Sequence, residues 1–353
     1  MQNVIDTNPG QKALRQTPLR RGLSKAVLRR RCDALWAMMS PCRLCPHDCA
    51  VDRMDGQRGI CGLDDRCAVA WIGPHFGEEP PITGRRGAGT VFFAGCNLRC
   101  PFCQNIQISR PARIRPQWYR SVEELASEYL RLQEMGCHNI EWVTPTHVLP
   151  AAVEALILAD EQGLVLPVVY NSGGYDSVEA LEQLDGIVDL YLPDFKYGPA
   201  AQVQRLRAPA DYWERASAAL AEMARQVGPL QMDADGVAVT GVLVRHLVLP
   251  GDLADTPGVL RSVRAAMGED LSLSLMAQYR PPRPGLSAPM DRVLDSAEYR
   301  EALWQAQAIP LRQGYFQSLD SRDELVPDFD RSVPFGDQAL GETAGPQAAA
   351  ESE

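Results

Sequence analysis

Three cysteines, Cys96, Cys100 and Cys103, constrain this chain more than any other feature. They lie in residues 95–104 (GCNLRCPFCQ) with the spacing C-x3-C-x2-C, directly after an apolar stretch that predicts a strand over residues 91–94. Three thiolates on a short loop can hold three irons of a 4Fe–4S cube and leave the fourth iron without a protein ligand. An open iron is useful only where a substrate or cofactor binds to it. The triplet therefore predicts cluster chemistry inside a binding site.

The composition is that of a soluble globular protein. Of the 353 residues, 45% are hydrophobic and 23% are charged, which is enough for a substantial core. A net charge of −10 argues against nucleic acid or an anionic membrane as the main partner. No apolar run reaches the roughly 18 residues of a membrane-spanning helix. We therefore expect a cytoplasmic protein.

The ten cysteines are unevenly distributed, and nine of them lie in residues 32–103. In a large chain in which we recognise no secretory signal, such clustering favours metal or redox chemistry over structural disulfides. Four of them are spaced C-x2-C-x3-C-x11-C: Cys42, Cys45, Cys49 and Cys61. Four thiolates at these spacings suit zinc or a fully ligated second iron–sulfur cluster. The spacing does not separate these two, and free buried thiols are a third interpretation.

Changes in composition and periodicity along the chain predict four segments. They are a disordered N-terminus over residues 1–19, a basic helix and Cys-rich metal-binding segment over 20–85, an α/β domain over 86–326, and a disordered tail over 327–353. The Cys-rich segment shows little periodicity and would struggle to build a core alone, so a bound metal could supply the missing order.

Strands and helices alternate through the α/β domain. Strands are predicted over residues 91–94, 140–143, 164–170, 187–192, 239–249 and 271–276, and helices over 121–135, 150–162, 176–184, 211–226, from 256 onward and over 296–307. Six strand-then-helix units predict parallel strands with right-handed crossovers, in an open doubly wound sheet or in a complete or partial barrel. In each of these folds, ligands bind at the carboxyl ends of the strands.

Polar and glycine residues follow most of the predicted strands. The candidates at these strand ends are Thr144, Asn171, Asp194, Lys196 and His246. Each has an ordinary explanation when taken alone: Asp194 and Lys196 could form a surface ion pair, and His246 could be a hydrogen-bonded core histidine. Their shared location at one edge of the sheet favours a functional pocket.

Together these motifs resemble the radical S-adenosylmethionine (SAM) superfamily. Its signature, C-x3-C-x-aromatic-C, is matched by the cysteine triplet with Phe102 in the aromatic position. More narrowly, the chain is similar to a group of uncharacterised iron–sulfur proteins related to pyruvate formate-lyase activating enzymes. The matching stretches are residues 89–105, 143–147, 171–175, 191–197 and 245–251. The resemblance covers roughly residues 40–320, and relatives have a similar Cys-rich N-terminal segment.

The resemblance implies an α/β fold, a partial (β/α)6 TIM-like barrel with the 4Fe–4S cluster at the carboxyl ends of the strands. SAM binds the open iron, one electron from the reduced cluster cleaves a carbon–sulfur bond, and the resulting 5′-deoxyadenosyl radical abstracts a hydrogen atom from a substrate. The implied protein is a radical SAM oxidoreductase that takes electrons from ferredoxin or flavodoxin. Its substrate is a glycine of a glycyl-radical-type protein or a small molecule, and the sequence does not choose between them.

Roles for individual residues also follow from the resemblance. Phe102 should lie against the adenine of SAM. Asn171, Asp194 and Lys196 match positions that contact the ribose or the methionine part. His246 matches a cofactor-contacting histidine on the fifth strand.

The chain departs from activating enzymes after the second strand. Those enzymes usually carry a Gly-Gly-Glu-Pro turn that binds the amine of SAM, whereas residues 144–147 here are Thr-Pro-Thr-His. The hydroxyl of Thr144 or Thr146, or backbone carbonyls, could accept from the amine instead. The substitution supports an alternative function, a non-catalytic iron–sulfur or SAM-binding protein that keeps the fold without turnover. A further alternative is that all the cysteines bind zinc.

Overall fold

The computed structural model of the chain describes residues 3–6, 19–320 and 326–336. The strands are β1 Asn3–Asp6, β2 Cys67–His75, β3 Ala88–Phe93, β4 Tyr119–Arg120, β5 Ile140–Val143, β6 Val168–Ser172, β7 Leu190–Pro193, β8 Gln231–Met232, β9 Ala238–Val242, β10 Val244–Leu247, β11 Ser272–Met276 and β12 Gln313–Phe316. The helices are α1 Lys25–Ala37, α2 Pro80–Thr83, α3 Ile106–Ser109, α4 Val122–Glu134, α5 Leu149–Glu161, α6 Val178–Glu182, α7 Val203–Leu206, α8 Tyr212–Val227, α9 Thr256–Met267 and α10 Ser296–Gln307.

Parallel strands form the centre of the molecule. The order β3-β5-β6-β7-β9 is parallel throughout, and β10, β11 and β12 form a second parallel run. A parallel bridge between Asp194 and Arg245 links the end of β7 to β10, so the two runs continue one another. This parallel-rich α/β arrangement confirms the predicted fold class, and it directs the carboxyl ends of β3, β5, β6, β7 and β10 to one side.

The helices begin where the sequence provides caps. At α4, the backbone N–H of Glu124 donates to Ser121 Oγ and the Ser121 N–H donates to Glu124 Oε2, which together form a capping box. At α9 the cap is Asp255, whose carboxylate accepts from the Gly258 N–H. These caps fix the starts of two helices that lead back from the sheet.

The predicted fifth strand is divided in two. Residues 239–249 were expected as one strand, but β9 pairs with β7 and β8 whereas β10 pairs with β11. Gly241 has φ +118°, and a Cβ on it would lie 2.4 Å from Leu230 Cα and from Pro229 O. A glycine is needed there because the backbone passes so close to its neighbour.

Five strands were not predicted, of which β4 and β8 have two residues each and pair with β2 and β9. The antiparallel strand β2 beside β3 lies in the Cys-rich segment, and it has a bulge near Val69 and no regular alternation of buried residues. Strand β12 extends the parallel run, and β1 pairs with it in antiparallel fashion. Strand β1 lies in the segment that was expected to be disordered, whose residues 7–18 are outside the described part of the chain.

The chain beyond residue 326 also differs from the sequence prediction of a disordered tail. Phe329 and Phe335 pack on Phe92 with ring-centroid distances of 5.3 and 5.5 Å. Arg115 forms an ion pair with Asp330. These contacts hold residues 327–336 against the body of the protein, whereas residues 337–353 lie outside the described residues.

Within the described residues, no helix has the length and apolar character needed to cross a bilayer. The longest, α8, has 16 residues, and a crossing takes about 20.

Candidate active site

The cysteine triplet follows β3 directly. The chain leaves the strand at Gly95, which has φ +83°, and a Cβ there would lie 2.7 Å from the carbonyl oxygen of Cys61. Only glycine fits this turn without strain. The loop that follows therefore begins its path at the carboxyl end of the sheet, where the sequence placed the binding site.

One cavity at this end of the sheet collects most of the predicted site residues. Its lining includes Cys96, Cys100, Phe102, Cys103, Thr144, Asn171, Asp194 and Lys196. These residues come from the exits of four different strands, so the juxtaposition depends on the parallel sheet and not on local sequence. Among the described residues, no other cysteine and no histidine lines the cavity.

His246 does not line this cavity. Its ring is fully buried, with Nδ1 2.8 Å from the carbonyl oxygen of Phe195 and Nε2 3.0 Å from Thr256 Oγ1. Burial lowers its pKa to about 4, so the ring is neutral. The ordinary explanation, a hydrogen-bonded core histidine, describes these surroundings. Its neighbour Arg245 lines the cavity instead, because successive side chains of a strand point to opposite faces.

Each thiol of the triplet has a hydrogen-bond partner within the fold. Leu98 N lies 3.3 Å from Cys96 Sγ, and the Tyr197 hydroxyl lies 3.2 Å from Cys100 Sγ. Cys103 Sγ lies 3.4 Å from the Ser109 hydroxyl. Donors aimed at sulfur tune the electronic properties of a bound iron–sulfur cluster.

The same thiols are hard to ionise without a cation. Burial raises the pKa of Cys96, and the neighbouring Cys103 and Cys100 raise it further. Burial also raises the pKa of Cys100, against the opposing effect of the Lys196 ammonium. A cation that binds sulfur, such as iron, stabilises thiolates in such a place. The donor set therefore fits an iron–sulfur cluster.

Asp194 lies at the centre of the charged wall of the cavity. It forms an ion pair with Lys196 and accepts from Arg245 Nε at 3.0 Å. Burial alone would disfavour the carboxylate, but Lys196 and Arg245 together hold the pKa of Asp194 below its ordinary value. The cavity thus offers a fixed negative and a fixed positive group, as a zwitterionic ligand requires.

A buried glutamate in the neighbouring strand orients the amide of Asn171. Its Nδ2 donates to Glu141 Oε1 at 2.7 Å, and the Glu141 side chain is fully buried in β5. Burial raises the pKa of Glu141 well above its ordinary value, and the charge of Glu78 adds to this effect. Glu141 acts through Asn171, so it is a positioning residue. Sequence reasoning missed it, although it is the only charged residue in the apolar stretch IEWV.

Thr144 has an unusual backbone conformation. Its φ is +59°, and its N–H donates to the carbonyl oxygen of Asn171 at 2.7 Å. A β-branched residue in the left-handed region costs about 1–2 kcal/mol, and such strain is common at functional sites. Thr146 points elsewhere, since its hydroxyl donates to buried Asp176 at 2.6 Å. Of the two threonines proposed from the sequence, only Thr144 faces the cavity.

The four cysteines of the N-terminal group are neighbours in space. Burial raises the pKa of Cys45 to about 12, and the thiols of Cys49, Cys61 and Cys42 add to the effect. A Cβ on Gly59 would lie 3.4 Å from Cys49 Sγ and 3.8 Å from Cys61 Sγ. The glycine therefore lets the loop pass directly over two of the thiols. None of these four cysteines lines the cavity of the triplet.

A buried arginine fixes this segment to the barrel. Arg53 is 1% exposed and donates to the carbonyl oxygens of Asp64 and His147. Its Nη1 lies 3.9 Å from Cys42 Sγ. Over residues 3–6, 19–320 and 326–336, no three Cys, His, Asp or Glu side chains are arranged around a single metal ion, so both metal sites stay predictions.

With this geometry in place, two similarities to known proteins are informative. Residues 90–252 match the family model of the Radical SAM superfamily. These residues form a radical SAM domain. It contains the cysteine triplet and the ends of β3, β5, β6, β7 and β10, whereas Met276 at the end of β11 lines the cavity from outside the matched stretch. Radical SAM proteins generally use a 4Fe–4S cluster, SAM and a reductant, and the match supports radical chemistry that cleaves SAM.

The chain is also similar to an uncharacterized protein of Methanocaldococcus jannaschii. The two are 29% identical over 273 residues, which cover 74% of this chain and 73% of that protein. Neither similarity supports the narrower resemblance to pyruvate formate-lyase activating enzymes.

Sequence reasoning missed several residues near the candidate site. Glu78 and Glu79 lie between β2 and α2, and both contact Arg245. The signal was an acidic pair directly before two prolines, near the end of the predicted Cys-rich segment. Arg245 lies in the stretch 245–251 that carried the resemblance, but the cofactor-contacting role was assigned to the adjacent His246.

Proposed function

We propose that the protein is a radical SAM enzyme that cleaves SAM reductively at a 4Fe–4S cluster held by Cys96, Cys100 and Cys103. The observation that carries the proposal is that all three thiols line one cavity together with the Asp194–Lys196 ion pair. When bound, the cluster and SAM would supply a 5′-deoxyadenosyl radical that abstracts a hydrogen atom from a substrate.

The residues of the cavity divide the binding of SAM between them. Lys196 and Asp194 offer the charges that complement a carboxylate and an amine, and Asn171 offers an amide for hydroxyl groups. Phe102 is buried, with its ring centroid 6.2 Å from that of Tyr197 and 6.3 Å from that of Tyr279, and it offers an apolar surface for adenine. The strained Thr144 occupies the turn that would receive the methionine amine.

The cavity also protects a reactive intermediate. Apolar side chains from the strand ends line it alongside the thiols, notably Phe92, Leu98 and Met276. Excluding water and stray hydrogen donors is a physical requirement for any radical of this kind. We propose ferredoxin or flavodoxin as the electron donor. The hydrogen donor is a glycine of a partner protein, as in activating enzymes, or a small molecule.

We also propose that Cys42, Cys45, Cys49 and Cys61 bind a second metal centre, either zinc or an iron–sulfur cluster. The proposal is supported by the mutual proximity of four buried or half-buried thiols and by the close approach of Gly59 to two of them. Metal analysis of wild type and Cys45→Ala separates the two. Loss of one zinc or of about four irons per chain identifies the occupant. Equal metal content in both proteins would overturn the proposal.

Release of 5′-deoxyadenosine tests the proposed activity. Protein reconstituted anaerobically and reduced with dithionite should release it from SAM, and Cys100→Ala should not. Cys137→Ala is the matched control, because Cys137 is buried and belongs to neither group. If the wild type binds a cluster and SAM but releases nothing, the protein is the non-catalytic alternative. A sample that holds only zinc would exclude both.

A further inference from the structure

A second cavity lies beside the cavity of the triplet. The two share Gln104, Asn171, Arg245, Met276 and Gln278 in their walls. A molecule in the second cavity would therefore lie next to a molecule bound at the cysteines. This is where the substrate of a SAM-derived radical has to be.

The wall that is not shared is acidic. Glu78 and Glu79 line the second cavity, and Glu78 Oε2 accepts from Arg245 Nη1 at 2.9 Å. Glu79 Oε2 lies 3.7 Å from the same nitrogen, beyond hydrogen-bond distance. Among the residues that the structure describes, this oxygen has no hydrogen-bond partner, although Glu79 is only 5% exposed and its carboxyl group also contacts Ser274.

Carboxylates outnumber cations around the cavity. Four carboxyl groups form one buried network: Asp194, Glu78, Glu79 and Glu141. Glu141 retains a proton because its pKa is raised well above the ordinary value, which leaves three carboxyl groups to carry charge. Among the described residues, two cations face them, Arg245 and Lys196, and both already share Asp194.

His75 does not make up the difference. Its Nε2 lies 3.7 Å from Glu78 Oε1, but burial and the charge of Arg245 lower its pKa to about 4. Burial raises the pKa of both Glu78 and Glu79, and the charge of Arg245 opposes that effect. Glu79 shares this cation with Glu78 and Asp194. A buried carboxylate that is only partly compensated is costly, and a ligand that brings a cation relieves that cost.

We propose that this second cavity binds a positively charged group of the substrate, an amine or a guanidinium, and that Glu79 is the carboxylate that receives it. This assignment rests on the proposed radical SAM function and names the class of its substrate. The charged group can belong to a free small molecule or to a lysine or arginine side chain of a protein. In either case the same two glutamates recognise it, and the shared wall places the adjoining part of the substrate beside the cysteines.

Matched small probes test the charge preference without knowledge of the substrate. Methylguanidinium and N-methylurea have nearly the same shape and differ in charge. Calorimetric titration into the reconstituted full chain with SAM should show at least tenfold tighter binding of methylguanidinium. No preference for the cation in the wild type would overturn the proposal, and this comparison needs no variant.

Variants then locate the site. Glu79→Gln should remove the preference for the cation, whereas Glu214→Gln, at an exposed position on α8, should retain it. A preference that survives in Glu79→Gln contradicts the assignment. Release of 5′-deoxyadenosine from SAM by the wild type without substrate is measured in parallel, and its absence would mark failure of the proposed function and not of the cation site.

The source of the cation follows from one more titration. If the site receives a side chain of a protein, N-acetyl-arginine amide should bind more tightly than methylguanidinium. If the site receives a free small molecule, the flanking amide groups should weaken binding. Both results support a cationic substrate, and equal weakness of both probes relative to N-methylurea would refute it.

Discussion

The two cysteine groups of this protein lie side by side, yet their surroundings differ. The carbonyl oxygen of Cys61 abuts Gly95, one residue before the triplet begins. The triplet lines an open cavity with charged groups. In the N-terminal group, Cys42 packs against Arg53, and the loop at Gly59 covers two further thiols. Cysteine spacing therefore predicts where metal ligands are, but only the neighbouring structure shows whether a second molecule can reach them.

Packed rings connect the two groups. His47 lies 5.1 Å from Tyr175, Tyr175 stacks on Tyr212 at 6.0 Å, and Tyr212 lies 4.7 Å from Tyr197. Tyr197 in turn donates to Cys100 Sγ. A disturbance of the N-terminal segment can therefore reach the triplet through side-chain packing, and the predictions below measure how far the two groups are independent.

The largest effect is expected at the triplet. Cys100→Ala should reduce release of 5′-deoxyadenosine to background and remove the brown chromophore of the cluster, because no further cysteine in the described part of the chain lines the cavity to replace the ligand. The metal content of the N-terminal group should be unchanged, as measured by elemental analysis. Loss of both metals at once would show that the two groups are a single site.

Cys45→Ala should lower the stability of the protein and leave its SAM binding nearly unchanged. Metal binding contributes folding free energy directly, so loss of this ligand should lower the free energy of unfolding by several kcal/mol in a chemical denaturation experiment. The affinity for SAM should stay within about threefold of wild type, since Cys45 does not line the cavity and the two groups share no ligand. Cys137→Ala is again the control, and unchanged stability in Cys45→Ala would argue against a metal at this group.

Lys196→Gln tests the contribution of the cavity to SAM binding without changing either cysteine group. Removing one member of a buried ion pair costs about 2–5 kcal/mol in related cases, and part of this should appear as a 10- to 100-fold weaker affinity for SAM. Equilibrium binding to the reconstituted protein measures it. Lys25→Gln is the matched control, since that side chain is 82% exposed on α1. Equal affinities in the two variants would exclude Lys196 from SAM binding.

Glu141→Gln should change the pH dependence of stability. The pKa of buried Glu141 is raised, so the folded chain retains a proton that the unfolded chain releases near pH 4.5. Wild type therefore loses stability from this group as the pH rises. The variant removes that loss, and its stability relative to wild type should rise by about 1 kcal/mol per pH unit from about pH 5 upward. Denaturation at several pH values checks this, with Glu214→Gln as control.

The smallest effect is expected at Thr144. Thr144→Gly relieves the left-handed conformation but adds freedom to the unfolded chain, so the net gain in stability should be about 1 kcal/mol. If Thr144 also receives the amine of SAM, affinity should fall as stability rises. A variant less stable than wild type would contradict the strained conformation.

Much of the radical SAM domain could be predicted because its signals are local. The bounds of β5 and α10 agree with the sequence prediction, since a short apolar run and a regular helical pattern with a capping box define them. Strand β2 was missed because its bulge and its Pro74 break the alternation on which strand prediction depends. The contacts of Phe329 and Phe335 were missed because these two residues are isolated apolar positions in a largely polar stretch without periodicity.

In the candidate site, too, only local features could be predicted from the sequence. The spacing of its cysteines identifies the triplet. Glu78 and Arg245, however, are 167 residues apart in the sequence, and no local pattern indicates their contact. The choice of His246 over Arg245 depended on which face of β10 points to the cavity. That orientation is set by the pairing of β10 with β11 and was not visible in the sequence.

Electron paramagnetic resonance of the reduced cluster tests the central claim most directly. If the triplet leaves one iron open beside Asp194 and Lys196, adding SAM should shift the spectrum in wild type and in Cys45→Ala, and Cys100→Ala should give no such signal. A spectrum that SAM leaves unchanged in wild type would mean that the cluster has no open iron, and it would contradict the account.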